Sequence, residues 1–129
     1  MTPEQKVEWL ILIRAAEWRG VTLPEITKDN IDDICQEWRS EDEWSDAVSE
    51  VREGEVEIDI PCQWSRHYES KSVGAQAPDG SWVGWTHWYG GGKHGEPESI
   101  PWIGDAYHLD CVEEKKMVTV RTFSRVVGI

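Results

Sequence analysis

The sequence predicts an α+β fold, with three N-terminal helices packed on one face of a mostly antiparallel sheet of about five strands. Three observations predict it. Apolar residues recur at helical spacing up to Gly54, and after Gly54 they alternate. Pro78-Asp79-Gly80 then stands as a turn between two alternating runs. At 129 residues the chain is about one domain, 1–129, helical over residues 1–54 and a β-sheet over residues 55–129.

The first helix is expected over about residues 3–19. Thr2 caps it, Pro3 suits its first position, and Gln5 completes a reciprocal capping box. Val7, Leu10, Ile11, Arg14 and Trp18 follow at helical spacing, and Gly20 stops the helix. A second helix runs from Asn30 to Trp38, with Ile31, Ile34, Cys35 and Trp38 on one face. Ser40-Glu41-Asp42-Glu43 reads as another capping box, opening a third helix with an apolar stripe of Trp44, Ala47, Val48 and Val51.

Beyond Gly54, Glu55–Ile60 alternates as a half-buried strand closed by Pro61. Residues 62–77 hold a second strand, broken near Ser70–Ser72. It forms a hairpin with Ser81–Tyr89. Trp82, Gly84, Thr86 and Trp88 share one face of that strand; Val83, Trp85, His87 and Tyr89 share the other. Both faces are bulky, which marks a central strand. Ile100–Ala106 reads as a short helical turn, and Tyr107–Val112 and Met117–Val127 as strands joined by the charged turn Glu113–Lys116.

The formal net charge is −12. Residues 1–54 carry six Lys/Arg and fourteen Asp/Glu, net −8; residues 55–129 carry seven and eleven, net −4. Such a field repels phosphate backbones, so no direct nucleic-acid binding is expected, and it favours basic protein partners. The crowded carboxylates Asp32, Asp33, Glu37, Glu41, Asp42, Glu43 and Asp46 form the expected acidic surface. The plain alternative is an acidic exterior that serves only solubility. No apolar run has the roughly 20 residues needed to cross a bilayer, and the N-terminus lacks a secretory pattern. An intracellular, soluble protein is therefore expected. Three widely spaced cysteines read as buried reduced thiols, not a disulfide framework.

The stretch Ser81–Glu98, SWVGWTHWYGGGKHGEPE, concentrates the candidate chemistry. An aromatic strand delivers a glycine-rich polar loop. The expected ligand- or partner-binding residues are Trp85, His87, Trp88, Tyr89, Lys93, His94, Glu96 and Glu98. Gly84 leaves a gap between Trp82 and Trp88 in which a ring or a backbone fits. The loop is not a Walker A motif: His87 stands where that motif needs its first glycine, and His94 where it needs Ser or Thr. Its glycine N–H groups with Lys93 suit an anion nest; the plain alternative is a flexible connector.

Metal and catalytic signals are weaker. Cys62, His67, His87, His94, His108 and Cys111 show no zinc-finger spacing, so no metal and no cofactor is implied. Ser65, His67 and Glu69 lie in a row along one strand face and do not converge as a triad does. His94 with Glu96 or Glu98 is an acid–base pair of a kind common by chance in polar loops.

The run Trp85–Glu98, with Arg66-His67-Tyr68-Glu69-Ser70 before it and Val120-Arg121-Thr122-Phe123 after it, resembles small acidic proteins encoded by tailed phages and prophages. The resemblance covers roughly residues 56–125 and leaves out the helical third. It implies a setting inside a bacterial cell, as an accessory phage gene, and carries over no functional residues. The leading expectation is a non-catalytic protein that binds a host or phage protein. In its concrete form the acidic helices imitate a phosphate track and inhibit a host nucleic-acid enzyme or defence factor. A small-ligand or nucleotide-sensing domain built on the Trp-rich strand and Gly loop is the alternative, and a metal-dependent enzyme the second.

Overall fold

A computed structural model describes residues 1–115 and 117–126. Three helices, α1 (Pro3–Arg19), α2 (Ile31–Trp38) and α3 (Asp42–Arg52), precede a four-stranded antiparallel sheet. Its strands are β1 (Val56–Glu57), β2 (Glu69–Gln76), β3 (Trp82–Tyr89) and β4 (Tyr107–Leu109), in spatial order β1-β2-β3-β4. The α+β class, the N-terminal helices and the antiparallel sheet agree with the sequence-based expectation.

The first helix forms as expected. Thr2 Oγ1 accepts from Gln5 N at 3.1 Å, and Gln5 Oε1 accepts from Thr2 N at 3.0 Å. The stripe is set one residue away from the one anticipated at its end. Val7, Ile11, Leu12 and Ala15 are fully buried, whereas Trp18 is 46% exposed. The third helix differs at its start. Glu41, not Ser40, occupies the N-cap, and no side chain caps it. Acidic Asp42 and Glu43 in the first turn still favour the positive helix end.

Around one core, α1 contributes Val7, Ile11, Leu12 and Ala15, α2 contributes Ile31 and Cys35, and α3 contributes Trp44 and Ala47. The sheet answers with Val73, Ala75, Val83 and Trp85, and Trp102 closes one side. Trp85 and Trp102 rings lie 5.3 Å apart and tilted.

The β2–β3 hairpin is the backbone of the sheet, with Val73 opposite Trp85 and Gly74 opposite Gly84. Asp79 fixes its turn by accepting from Ser81 N at 3.0 Å and Ser81 Oγ at 2.6 Å. The expected break near Ser70–Ser72 does not occur; β2 runs through it. Those serines instead hold the neighbouring segment. Ser72 Oγ donates to Ile60 O at 2.6 Å and Ser70 Oγ to Gln63 O at 2.6 Å. Ile58 N still donates to Ser72 O at 3.0 Å, but beyond it the serine hydroxyls take the place of ladder bonds and Pro61 has no N–H to give; the strand expected over Glu55–Ile60 shortens to Val56–Glu57.

Two further expectations change. The helical turn expected within Ile100–Ala106 is a 3₁₀ turn at Ile103–Asp105, and another forms at Pro97–Ser99. The fifth strand, expected over 117–127, is not formed in its described residues 117–126; residue 127 lies outside the described residues. No helix among the described residues is long and apolar enough to cross a membrane.

Candidate functional site

The aromatic strand and the glycine loop separate sharply. β3 is central, between β2 and β4, so both its edges are paired, and Val83, Gly84, Trp85, His87 and Trp88 along it are buried. Trp85 has no exposed surface, Trp88 is 7% exposed and His87 is 8% exposed. Trp85, His87 and Trp88 therefore leave the expected contact surface and join the interior. The gap at Gly84 is real, and the chain fills it itself. A Cβ at Gly84 would stand 2.8 Å from Tyr107 Cε2 and 3.0 Å from Leu109 Cδ1. The Tyr107 ring occupies that gap.

Arg52, at the end of α3, ties the strand to the helices. Its Nη1 donates to Trp88 O at 2.6 Å, and its carbonyl accepts from Trp85 Nε1 at 2.8 Å. Burial, and then the charges of Arg52 and Lys71, hold the His87 imidazole below its usual range, with Glu53 opposing. A buried, neutral His87 is thus a packing residue, its ring stacked 5.7 Å from that of Tyr89.

Tyr89 is where the strand surfaces. It is 36% exposed, and Lys71 Nζ lies 5.6 Å from its ring centroid. Beside it is an open hollow of about 400 Å³, walled by Trp64, Ser65, Arg66, His67, Tyr68, Glu69, Ser70 and Tyr89. Trp64 is 83% exposed. Ser65 Oγ shapes this wall, accepting from His67 N at 3.2 Å and from Tyr68 N at 3.4 Å. Ser65, His67 and Glu69 surround the hollow as members of this turn and not as one strand face, since β2 begins only at Glu69.

Tyr68 joins the hollow to the glycine loop. Its hydroxyl accepts from Glu96 N at 3.2 Å. Its ring lies where a Cβ on Gly91 would fall, 2.5 Å from Cε1. Gly90, Gly91 and Gly92 take φ of 76°, 88° and 72°. Positive φ at three successive positions is what glycine alone adopts readily, which accounts for the run. It folds back on itself, with Gly95 N donating to Gly92 O at 3.1 Å. Lys93, His94, Glu96 and Glu98 all face solvent around this turn.

No protein-family model matches the chain, and no curated protein or solved structure matches it either. The geometry alone carries the functional reading.

The acidic residues spread over two helices. Asp32 and Asp33 line an open cleft of about 540 Å³ with Thr2, Glu4, Gln5, Glu8, Gln36 and Arg39. Glu8 is 9% exposed and pairs with Arg39 at 3.0 Å. Burial raises its pKa above the usual carboxylate range, against the lowering pull of Arg39, and Glu4 and Asp32 add to the rise. Glu37, Asp42 and Asp46 are exposed, while Glu41 and Glu43 are half-buried. Glu41 accepts from Arg19 at 3.1 Å.

The metal inventory disperses. His108 Nδ1 lies 3.1 Å from Lys6 Nζ, and Cys62 Sγ lies 3.4 Å from Ser70 Oγ. Among the described residues no group of three or more His, Cys, Asp or Glu is placed to hold a metal ion. The cysteines are all free, but only Cys35 is buried; Cys62 is half-buried and Cys111 exposed. Burial pushes the Cys35 thiol up to about 12.

The sequence did not single out Trp64, Arg66 and Tyr68, which line this hollow. The available signal was Trp64 beside Ser65, an aromatic next to a turn former and outside any clean alternation.

Proposed function

We propose that this chain is a non-catalytic binding protein that captures a protein partner through the hollow at Trp64 and Tyr89 and the adjoining glycine loop. The observation that carries the reading is Trp64, 83% exposed, standing at an open hollow beside a loop locked by Tyr68. An exposed tryptophan at a concave site is the residue type that anchors interfaces. Lys93, His94, Glu96 and Glu98 supply a polar rim around it. Following the resemblance to phage-encoded proteins, the setting is the cytoplasm of a bacterial host and the partner a host or phage protein.

A second reading concerns the helical face. Glu4, Glu8, Asp32 and Asp33 crowd one cleft, and this crowding adds to the raised Glu8 pKa. Such a face suits a basic partner, including a nucleic-acid enzyme whose groove expects phosphates.

Affinity purification from phage-infected cells, followed by mass spectrometry, tests both. Wild type should retain a partner that Trp64→Ala loses. If the acidic cleft is the contact, Asp32 and Asp33 changed together to Lys lose it instead. A partner retained by both variants contradicts both readings. Tryptophan fluorescence quenched by a nucleotide or sugar would favour a small-ligand site at the same hollow.

A further inference from the structure

Val112, Met117, Val118, Val120, Phe123 and Val126 are between 82% and 101% exposed. The described residues of this C-terminal run pair with no strand. Yet 117–126 is composed of strand formers in alternation. Val118, Val120, Thr122 and Ser124 fall on one side; Thr119, Arg121, Phe123 and Arg125 fall on the other. Its charge is also opposite to that of the rest. Residues 115–126 hold four basic residues and no acidic one, whereas residues 1–114 hold nine basic and twenty-five acidic.

A matching surface lies at the β1 edge, which borders the sheet and, among the described residues, pairs only with β2. There Glu55, Glu57 and Asp59 alternate with Val56, Ile58 and Ile60. Val56 and Ile60 are 43% and 40% exposed. With Ile58, Trp82 and Leu109 they line an open, mainly apolar groove of about 400 Å³. The acidic residues guard this edge against pairing with another copy of itself. They do not guard it against a basic strand.

We propose that the run 117–126 of one copy adds as an antiparallel strand to the β1 edge of a second copy, and reciprocally, forming a two-fold dimer. Setting Val120 opposite Ile58 places Val118 opposite Ile60 and Thr122 opposite Val56. The same register sets Arg121 opposite Glu57. The valines then extend the apolar groove, and the ion pair lies on the other side of the strand. The occupant is a second copy because the run's apolar side chains are left in solvent by their own body, and because this chain supplies the acid–apolar alternation that matches them.

Light scattering on the full chain, eluted at low salt, should give twice the single-chain mass. A chain ending at Glu114 should give the single mass and still unfold in one cooperative transition, at a midpoint no higher than that of the full chain. Arg121→Glu should raise the dimer Kd about tenfold. Adding Glu57→Arg to that variant should restore the dimer. A single-chain mass for the full chain up to high micromolar concentration overturns the proposal. So does a double mass that survives loss of the run or the Arg121 reversal. A single mass with slow amide exchange at Val118 and Val120 would place the run on its own β1 edge and overturn it equally.

Discussion

Trp85 and Trp64 are the same residue type, yet one has no exposed surface and the other is 83% exposed. Trp85 belongs to a strand paired on both edges, and alternation turns it onto the face that packs with the helices. Trp64 belongs to a segment without ladder bonds, turned by Ser65 and fixed to the sheet through Ser70 and Tyr68. The difference teaches that abundant tryptophan divides into two roles here. Backbone context, not residue type, assigns each one. The strand tryptophans Trp85 and Trp88 pack into the interior, and Trp64 stands in solvent beside the loop.

The sharpest way to break this comparison is to delete the buried member. Trp85→Ala removes a fully buried ring and the donor to Arg52 O, and should cost about 3–5 kcal/mol in a urea titration. A loss under about 1 kcal/mol would mean that Trp85 is not a core residue.

Within the loop, Gly91 and Gly92 offer a matched pair. Both have positive φ, but only Gly91 has the Tyr68 ring in the space of a Cβ. Gly91→Ala should cost about 2 kcal/mol and release the Glu96 N–H to fast amide exchange. Gly92→Ala should cost about 1 kcal/mol and leave that amide protected. Equal effects would show that Tyr68 does not lock the loop.

A smaller effect comes from pH. His87 is held below its ordinary pKa mainly by burial, then by Arg52 and Lys71. Its unfolded value is about 6.5. As pH falls below that value the unfolded chain takes up a proton that the folded chain does not, so stability declines until the folded pKa is passed. His87→Gln should flatten this arm of the pH–stability curve while leaving the curve above pH of about 7 parallel to wild type. An unchanged acid arm would mean that His87 is not desolvated.

Much of this was legible in the sequence because periodicity reports on local geometry. The Thr2–Gln5 box, the change at Gly54 and the Pro78-Asp79-Gly80 turn each name one element, and each element forms. What could not be read was cover. Alternation places Trp85 and Trp88 on opposite faces but does not say that helices bury one and that the other is also covered. Nor did the glycine run disclose its direction: three residues of positive φ and the Tyr68 ring turn it into a folded corner. The serines of β2 looked like a break because Ser is a poor strand former, yet their hydroxyls replace missing ladder bonds to Ile60 and Gln63. The apolar C-terminal run had a strand's pattern, but a pattern alone supplies no neighbouring edge.

The central claim is tested most directly by Trp64→Ala, measured on one sample for both urea stability and partner capture. Stability should stay within about 0.5 kcal/mol of wild type, while capture should weaken by about 2 kcal/mol or more, roughly 30-fold. Wild-type capture by this variant, or a drop in stability comparable to that of Trp85→Ala, would contradict the account.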